Sequence, residues 1–433
     1  MRDQWLNFSP RAGMAWDVSG NGRTALRASY ALTYDFPAGD MQILQTSAAP
    51  FGNRVRVDLP PGGFDNPYSA IGGNPHPIET SRDTLFPLAG TFGVMAPEIN
   101  SPRVQSWNVT FERQIGASWG VSVSYLGNHS DRLWNLVPLN PAVFMGLGPC
   151  TLPDGIFYPV CSTTANTNDR RVISLENPTV GRQISNLEVF DDYGVSNYRG
   201  LQLSARRVSA NGVSFNGNYT WSYCFGDRMN DGNHQFASGP TKPDDLTFDQ
   251  GNCTQNKTHI ANLTVGYQTP RFASPLVGAI ASDWRVSGIV TASSGPWLTV
   301  FTGRDSALNG QVGTINQMTG QRANQISDDV YGPKTLTQYL NPAAFAQPAP
   351  GTFGNHVRAS ITGPGQWVIN TAVSRMVTVF DTQTVEFRVE AFNLLNHFNW
   401  GLPATNLQQG TFGRITSMAT DPRILQFGVK YGF

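Results

Sequence analysis

Alternation of apolar and polar residues is the feature that most constrains how this chain can fold. The clearest example is the segment Val213–Tyr223. Its alternate apolar positions carry Val213, Phe215, Tyr219 and Trp221, and serine, asparagine and threonine lie between them. Because successive side chains of a β-strand point to opposite faces, a period of two predicts a strand with one apolar and one neutral polar face.

Ten other segments carry the same signal, which gives about eleven predicted strands. They are Phe8–Val18, Thr24–Asp35, Val104–Gln114, Val121–Gly127, Tyr198–Val208, His259–Tyr267, Trp284–Ser294, Trp367–Thr378, Thr384–Asn393 and Leu425–Phe433. Most are near the ~9–11 residues with which a tilted strand crosses a bilayer. Glycine and proline, 44 and 29 of 433 residues, are more frequent than usual. The chain is therefore predicted to be all-β, with turns rich in glycine and proline.

The connections between the predicted strands alternate in length. The short ones are 19–22, 115–120, 209–212 and 379–383. The connection 268–283 is of middling length and falls where the alternation expects a short one. The long ones are 36–103, 128–197, 224–258, 295–366 and 394–424. This arrangement is typical of transmembrane β-barrels, in which a closed sheet satisfies its backbone groups within lipid. A soluble β-sandwich or propeller is the alternative, but a sandwich does not need such loops and a propeller would show a blade repeat.

Several classes of protein are excluded by the sequence. It has no apolar run of about 18 residues that would form a transmembrane helix, and its first residues do not form a secretory signal. With 30 basic and 30 acidic residues, it has no charge bias towards nucleic acid. Because the sequence motifs of hydrolases, zinc proteases and nucleotide-binding enzymes are absent, we expect no catalytic residues and no cofactor.

A metal site is not expected either. The six histidines are dispersed, and no CxxC pair occurs. The acidic loop 227–233 resembles a calcium-binding loop in composition but lacks the spacing and the final glutamate of an EF-hand. A solvated loop is the favoured interpretation of this segment.

Charged residues on the polar faces of the strands are the remaining candidates for a functional site. In a barrel these side chains would face the lumen, where they can pair across strands or contact a plug. The candidates are Arg27, Asp35, Glu112, Arg206, Arg285, Glu386, Arg388 and Glu390. The last three occupy successive inward positions with alternating sign. That pattern indicates a lumen wall whose positive and negative side chains balance one another, rather than a catalytic pair of carboxylates.

All four cysteines fall in long connections, Cys150 and Cys161 in one and Cys224 and Cys253 in another. Oxidising compartments permit disulfides, and four cysteines allow three connectivities. We predict pairing within each loop, Cys150–Cys161 and Cys224–Cys253. Cross-loop pairs and unpaired thiols are the alternatives.

The end of the chain resembles the assembly signal of bacterial outer-membrane proteins. Its alternate aromatic or apolar residues are Leu425, Phe427, Val429, Tyr431 and the terminal Phe433. The segment Val385–Trp400 resembles the penultimate strand of TonB-dependent receptors, in the Oar-like branch that carries an N-terminal carboxypeptidase-regulatory-like domain. Shorter segments similar to that branch are 8–13 with 21–27, 105–108, 122–127, 294–297 and 410–413.

This resemblance implies a fold. Barrels of outer-membrane transporters have ~22 strands and a plugged lumen. Residues 1–433 would then be the C-terminal part of such a barrel, about eleven antiparallel strands with long extracellular loops. The family's signal peptide, plug and N-terminal β-sandwich domain have no counterpart in this sequence, so we expect it to be a fragment.

The resemblance also implies a function and a location, the bacterial outer membrane. The function is uptake of a scarce, bulky solute, driven by the TonB complex through the absent N-terminal region. The implied partners are that complex, the outer-membrane assembly machinery, the lipid bilayer and an unknown solute, with no nucleic acid. A surface adhesion or interaction protein and a porin-like channel remain as alternatives.

Overall fold

The main body of the protein is one antiparallel sheet of eleven long strands that lie side by side in chain order. The computed structural model describes residues 4–35, 86–227, 239–312, 321–380 and 383–433, with short pieces between 52 and 84 and between 314 and 319. The strands are β1 (Arg11–Asp17), β2 (Thr24–Tyr34), β3 (Arg103–Ile115), β4 (Trp119–Pro138), β5 (Ile184–Ala210), β6 (Val213–Gly226), β7 (His259–Gln268), β8 (Trp284–Ser293), β9 (Gln366–Phe380), β10 (Gln383–Phe392) and β11 (Ile424–Gly432). The predicted fold class is confirmed.

Two strands are much longer than the alternation predicts. We predicted strands over 121–127 and 198–208, whereas β4 continues to Pro138 and β5 begins at Ile184. In the extension of β4, Trp134, Asn135 and Leu136 are all buried. Both faces of this stretch are therefore covered by protein. An apolar–polar alternation is not required where neither face meets lipid, which is why the alternation did not predict this extension.

The short connections lie at one end of the sheet, which we call the turn end, and the long ones lie at the opposite loop end. Between β5 and β6, Asn211 and Gly212 have φ angles of 54° and 77°. Both central residues of a type I′ turn need a positive φ, which explains why Asn-Gly closes this hairpin.

The remaining regular elements are short. The helices among the described residues are α1 (Val172–Glu176), α2 (Pro178–Gly181) and α3 (Pro275–Ala281), with 3₁₀ turns at Asn168–Arg170 and Pro342–Ala344. The minor strands are Gly90–Met95, which runs parallel to β5, and Cys150–Thr151, Phe157–Tyr158, Gly251–Asn252, Trp297–Leu298, Thr314–Ile315, Met318–Thr319, Asn324–Gln325, Phe345–Ala346 and Ile361–Thr362. In the described part of the chain, no helix has the length and apolar character needed to span a bilayer.

The register divides the main sheet into two chemically different faces. One row of partners across β4 to β8 consists of Ser122, Ser204, Asn218, Asn262 and Thr291. The adjacent row on the other side begins with Val123, Leu203 and Tyr219. We call these the polar face and the apolar face. A wide exposed apolar face behind a polar one is the arrangement that a barrel wall needs, with lipid outside and an aqueous lumen inside.

Arginine substitutions on the two faces should have unequal costs. Phe215 lies on the apolar face and its neighbour Asn216 on the polar face. We expect Phe215→Arg to cost ~2–4 kcal/mol in the full-length protein, because the charge would enter lipid, and Asn216→Arg to cost far less. Urea unfolding of the protein refolded into lipid vesicles measures both values. Equal losses of unfolding free energy would show that the faces are wrongly assigned.

The edge strands β1 and β11 each have a hydrogen-bonded neighbour on one side only, among the residues described. Every strand of the main sheet is antiparallel to the next, so the first and the eleventh run in the same direction. An antiparallel ladder between β1 and β11 is therefore impossible. Edge strands with free N–H and C=O groups are templates for further strand pairing.

Candidate functional site

Most charged residues of the polar face gather near the turn end of the sheet. Arg27 Nε on β2 donates to Glu112 Oε2 on β3 at 2.9 Å. Arg206 on β5 and Arg285 on β8 are exposed and form no ion pair with any described residue. Pairing across the strands is therefore partial and leaves cationic groups available on this face.

The alternating triad of β10 forms one ion pair within its own strand. Arg388 Nη2 donates to Glu390 Oε1 at 2.6 Å. Glu386 lies in register opposite Lys430 of β11. Asp35 follows the last residue of β2 at the loop end, where its backbone N–H donates to the carbonyl of Pro102. The structure thus places Asp35 at the loop end, whereas most of the other charged candidates lie towards the turn end.

The long connections pack together over the loop end in a structure that we call the loop cap, residues 139–183, 239–258, 294–365 and 393–423. Its core consists of Leu298, Val300, Ala323, Tyr339, Leu340, Ala344, Phe345, Ile361 and Ile415. All but Ile415 come from the connection between β8 and β9. Because burial of apolar surface is the main driving force of folding, the cap is a folded body and not a set of separate loops.

A second, smaller core supports the cap at the extensions of β4 and β5. It consists of Ile99, Trp134, Leu136 and Phe190, with Met95 and Ala96 packed against it. The Trp134 indole N–H donates to the carbonyl of Asn100 at 2.6 Å. This core joins the end of the 36–102 connection to the extended hairpin.

A fully buried arginine braces two of the loops against each other. The Nη1 of Arg170 donates to the carbonyl of Leu308 at 2.9 Å, and its Nη2 to that of Thr163 at 2.8 Å. Its Nε donates to Asn166 Oδ1 at 3.1 Å, and Nη1 also reaches the carbonyl of Val143. Burial lowers the pKa of Arg170. Because an arginine keeps its charge in proteins, the four hydrogen bonds serve to stabilise a buried cation.

A second buried arginine joins the connection 294–365 to the connection 239–258. Arg322 Nη2 donates to the carbonyl of Phe248 at 2.6 Å, and its guanidinium carbon lies 3.8 Å from the centre of that ring. Its Nε lies 3.4 Å from Asp249 Oδ1, an ion pair without hydrogen-bond geometry. Nη1 donates to the carbonyl of His356 at 2.8 Å.

His356 should make the loop cap sensitive to acid. Its ring is fully buried beside Arg322, hydrogen-bonds through Nδ1 to Gln325 Oε1 at 3.0 Å and meets the Phe345 ring edge-on. Burial, and then the charge of Arg322, lower the pKa of His356 to about 4. Its neutral form is thus favoured in the fold. The associated stability is complete above the unfolded pKa of ~6.5 and is lost as the pH falls towards 4, by about 3 kcal/mol at most.

Proteolysis of the cap in the full-length protein at pH 7 and pH 4.5 measures this loss. In His356→Gln, which keeps a neutral polar side chain, the acid-induced increase in cleavage should be smaller. The same pH dependence in both proteins would rule out His356 as the cause.

Two disulfides join Cys150 to Cys161 and Cys224 to Cys253, the pairs predicted from the sequence. Their partners are 11 and 29 residues apart. No cysteine is free within the described ranges. The second bridge ties the loop end of β6 to the connection that follows it.

Replacing either pair by serine should loosen the cap. A closed loop restricts the unfolded chain, so we expect a loss of ~3 kcal/mol for each pair, slightly more for Cys224–Cys253 because its loop is longer. Thermal unfolding of the full-length variants measures the loss, and peptide mapping without reduction tests the connectivity. Free thiols or cross-loop peptides in the wild-type protein would reject the pairing.

Among the described residues, no group of three or more His, Cys, Asp and Glu side chains is placed to hold a metal ion. Of the acidic loop 227–233, Asp227 is described and residues 228–233 lie outside the described part. Asp227 Oδ2 accepts a hydrogen bond from the backbone N–H of Val195 at 2.7 Å. This carboxylate therefore stabilises the end of the β5–β6 pair.

Sequence reasoning missed the buried arginines of the cap. The residues from Leu139 to Asn168 include one charged side chain, Asp154, before Asp169, Arg170 and Arg171 follow. Two adjacent arginines after so long a weakly charged stretch are a usable signal for buried cations, because charges in such a setting need carbonyl partners. Arg171 fits this description, since its Nη1 donates to the carbonyl of Asn140 at 2.7 Å.

The fold is similar to those of several solved outer-membrane proteins. The outer membrane transporter YddB from Escherichia coli has 9% sequence identity and a TM-score of 0.49, with 97% of this chain and 40% of that protein covered. The FrpB iron transporter from Neisseria meningitidis has 12% identity and a TM-score of 0.42, with 97% and 38% covered. BauA, the ferric preacinetobactin receptor from Acinetobacter baumannii, has 11% identity and a TM-score of 0.41, with 98% and 36% covered.

The chain spans at most 40% of the length of these three proteins. No curated protein matches its sequence. A family model described as an outer membrane beta barrel domain matches residues 1–426. That match covers nearly the whole chain and places the protein in the bacterial outer membrane, in agreement with the two-faced antiparallel sheet. The chain belongs to the family of outer membrane beta-barrel domains.

Proposed function

We propose that this chain is the wall of a TonB-dependent receptor that takes up a scarce, bulky solute. The observation that carries the proposal is the loop cap, a large folded body with its own core at one end of a membrane-spanning sheet. A simple pore does not need such a body at its mouth, whereas a receptor that captures a large solute does. The resemblance of Val385–Trp400 to the Oar-like branch of these receptors supports the same function.

The eleven strands would form the C-terminal part of a larger closed barrel. Since β1 and β11 run in the same direction, antiparallel closure requires an odd number of further strands. Single-chain bacterial barrels have even numbers of strands, which agrees with eleven plus an odd number. The plug and the segment that contacts TonB would be further parts of the same receptor.

The proposed receptor performs no covalent chemistry. The loop cap captures the solute outside the cell, the TonB complex supplies energy, and movement of the plug opens a path along the polar face. The assembly machinery inserts the barrel and the apolar face contacts lipid. Each step uses binding and displacement alone, so no catalytic side chain is needed.

Growth of deletion strains tests this function. In a bacterium that carries the full-length gene, strains lacking this gene, tonB or both are grown on a panel of limiting carbon, iron and cofactor sources. We expect at least one source on which the receptor deletion slows growth and the double deletion grows no worse than the tonB deletion. A receptor deletion that slows growth equally with and without tonB would contradict energised uptake.

A surface interaction protein is the second candidate, favoured by an exposed apolar segment of the loop cap. Ile156 and Phe157 lie in the segment closed by the Cys150–Cys161 disulfide and are 45% and 63% exposed, and Leu147, three residues before that segment, is 49% exposed. Exposed apolar patches often mark interaction sites. Loss of cell adhesion without any growth defect in the receptor deletion would favour this function.

A further inference from the structure

An arginine lies on the apolar face of the sheet between two aromatic residues. Arg207 of β5 is the register partner of Trp119 on β4 and of Phe215 on β6. Its guanidinium carbon lies 5.7 Å from the centre of the Trp119 ring, and the centres of the Trp119 and Phe215 rings lie 5.6 Å apart. We call these three residues the first triad. It places a cation among aromatic rings on the face that meets lipid.

The same arrangement recurs four strands further along the sheet. Arg375 of β9 is the register partner of Trp284 on β8 and of Phe387 on β10. Its guanidinium carbon lies 5.5 Å from the centre of the Trp284 ring. We call these three residues the second triad. In both triads the tryptophan ring attracts the cation through its negative face.

Both triads lie near the turn end of the sheet. Trp119 is the first residue of β4 and Trp284 is the first residue of β8, and a connection of the turn end leads into each strand. An arginine on the lipid side of a barrel is costly at the middle of the bilayer but costs little near the bilayer surface. The position of the triads is therefore that of the headgroup layer.

The register offset between the two triads agrees with a common depth. The register line through Arg207 crosses β9 at Thr371, so Arg375 lies four residues nearer the turn end. The turn end is displaced in the same direction, since the line through Ala210, the last residue of β5, crosses β9 at Val373. Strands in a barrel tilt by at least ~35°, which over four strands ~4.8 Å apart shifts a level line by about 13 Å, or about four residues.

The described residues leave both guanidinium groups without a countercharge. None of the ion pairs among these residues includes Arg207 or Arg375. Both side chains are half-buried, and the Nε atom of each is covered and has no hydrogen-bond partner in the described part of the chain. Because a partly desolvated cation is stabilised by an anion, an acidic group from outside this part of the chain fits both positions.

Helix α3 lies against the second triad. The Trp284 indole N–H donates to the carbonyl of Ile280 at 2.8 Å, and Arg375 Nη2 donates to the carbonyl of Ala279. Leu276 and Ile280, one helical turn apart, are 72% and 63% exposed. Apolar side chains on a surface helix are stabilised at the boundary between headgroups and acyl chains. This helix therefore indicates a lipid surface at the level of the triads.

We propose that each triad binds the headgroup phosphate of one phospholipid in the leaflet at the turn end. The planar guanidinium donates parallel hydrogen bonds to phosphate oxygens, and the aromatic rings contact the glycerol and the first part of the acyl chains. The occupant is a phospholipid because the triads open on the apolar face, and the second of them lies beside the exposed apolar side chains of α3. The inference requires a membrane-spanning sheet and does not depend on the proposed receptor function.

Native mass spectrometry of the full-length protein in detergent with phosphatidylglycerol tests the inference. We expect the wild-type protein to retain two lipid molecules that Arg207→Gln/Arg375→Gln loses, with roughly tenfold weaker binding at each triad. Arg206→Gln/Arg285→Gln removes two arginines of the polar face near the same end and is the matched control, which should retain both lipids. A diacylglycerol with the same chains but no phosphate should bind the wild-type protein and the triad variant equally weakly.

Three results would overturn the inference. They are equal retention of phosphatidylglycerol by the wild-type protein and the triad variant, equal retention of diacylglycerol and phosphatidylglycerol by the wild-type protein, and displacement of the lipid by an equimolar amount of inorganic phosphate, which would identify a site for free anions. Should the double variant fail to fold, Arg207→Gln and Arg375→Gln are measured separately. Each should lose one lipid molecule, and unchanged retention in both would contradict the inference.

Discussion

Deleting Phe433 should remove most of the full-length protein from the outer membrane, although chain ends normally tolerate change. Phe433 follows β11, an edge strand, and is 98% exposed. An edge strand offers free N–H and C=O groups for pairing, and its alternate side chains provide specificity. If the assembly machinery binds β11 before the barrel closes, the terminal aromatic ring is part of what it recognises. Immunoblots of the outer-membrane fraction measure the loss.

The substitutions around Phe433 separate recognition from stability. Tyr431 donates a hydrogen bond to Gln383 Oε1 at 2.6 Å, so Tyr431→Ser/Phe433→Ser weakens the folded sheet as well as the signal. The Phe433 deletion leaves that bond intact and is the sharper test. Gln426→Ser, on the polar face of β11, is the control and should leave the amount unchanged. Normal surface levels of the Phe433 deletion would show that β11 is an ordinary strand.

Replacing the buried Arg170 by methionine should destabilise the loop cap by ~3–5 kcal/mol. Methionine fills the space of the aliphatic part but leaves the carbonyls of Val143, Thr163 and Leu308 without their donor. A buried acceptor left unsatisfied costs ~1–3 kcal/mol, so three such groups account for this value. Hydrogen exchange of the cap in the full-length protein measures the change in local opening.

Two further variants show whether burial is the cause. Arg182→Met changes an exposed arginine of the same connection and should have little effect. Arg170→Lys keeps the charge but not the planar fork of donors, so its loss should be intermediate. Equal effects of the two methionine substitutions would contradict the bracing role of Arg170.

The strands could be predicted because lipid and lumen impose a regular pattern on them. Val213–Tyr223 alternates since each neighbouring pair of side chains faces two different environments, and β6 includes that whole segment. The extension of β4 has no such pattern because Trp134 and Leu136 on one face and Asn135 on the other are all buried by protein. The alternation therefore predicts the strand segments whose two faces meet different environments, and it does not predict the extensions that are buried in protein.

The loop cap could not be predicted for a related reason. Its core brings Ile415 against Leu340, residues from different connections with no shared periodicity. The disulfide pairs, in contrast, follow from which connection each cysteine occupies. The charged candidates were expected on the polar faces of their strands, but the sequence pattern does not show which of them form ion pairs, as Arg27 and Arg388 do.

Labelling of single cysteines in intact cells tests the central claim, that the sheet crosses the outer membrane with its loop cap outside and its short turns inside. The native cysteines in the described structure are all in disulfides, so an introduced thiol reports its own position. Thr337 lies in the loop cap and Ala117 lies in the turn between β3 and β4, and both residues are exposed. Each is replaced by cysteine in a separate variant. With a membrane-impermeant maleimide, we expect Thr337→Cys to be labelled in intact cells and Ala117→Cys only after the outer membrane is permeabilised. Labelling of Ala117→Cys in intact cells, or protection of Thr337→Cys, would contradict the proposed topology.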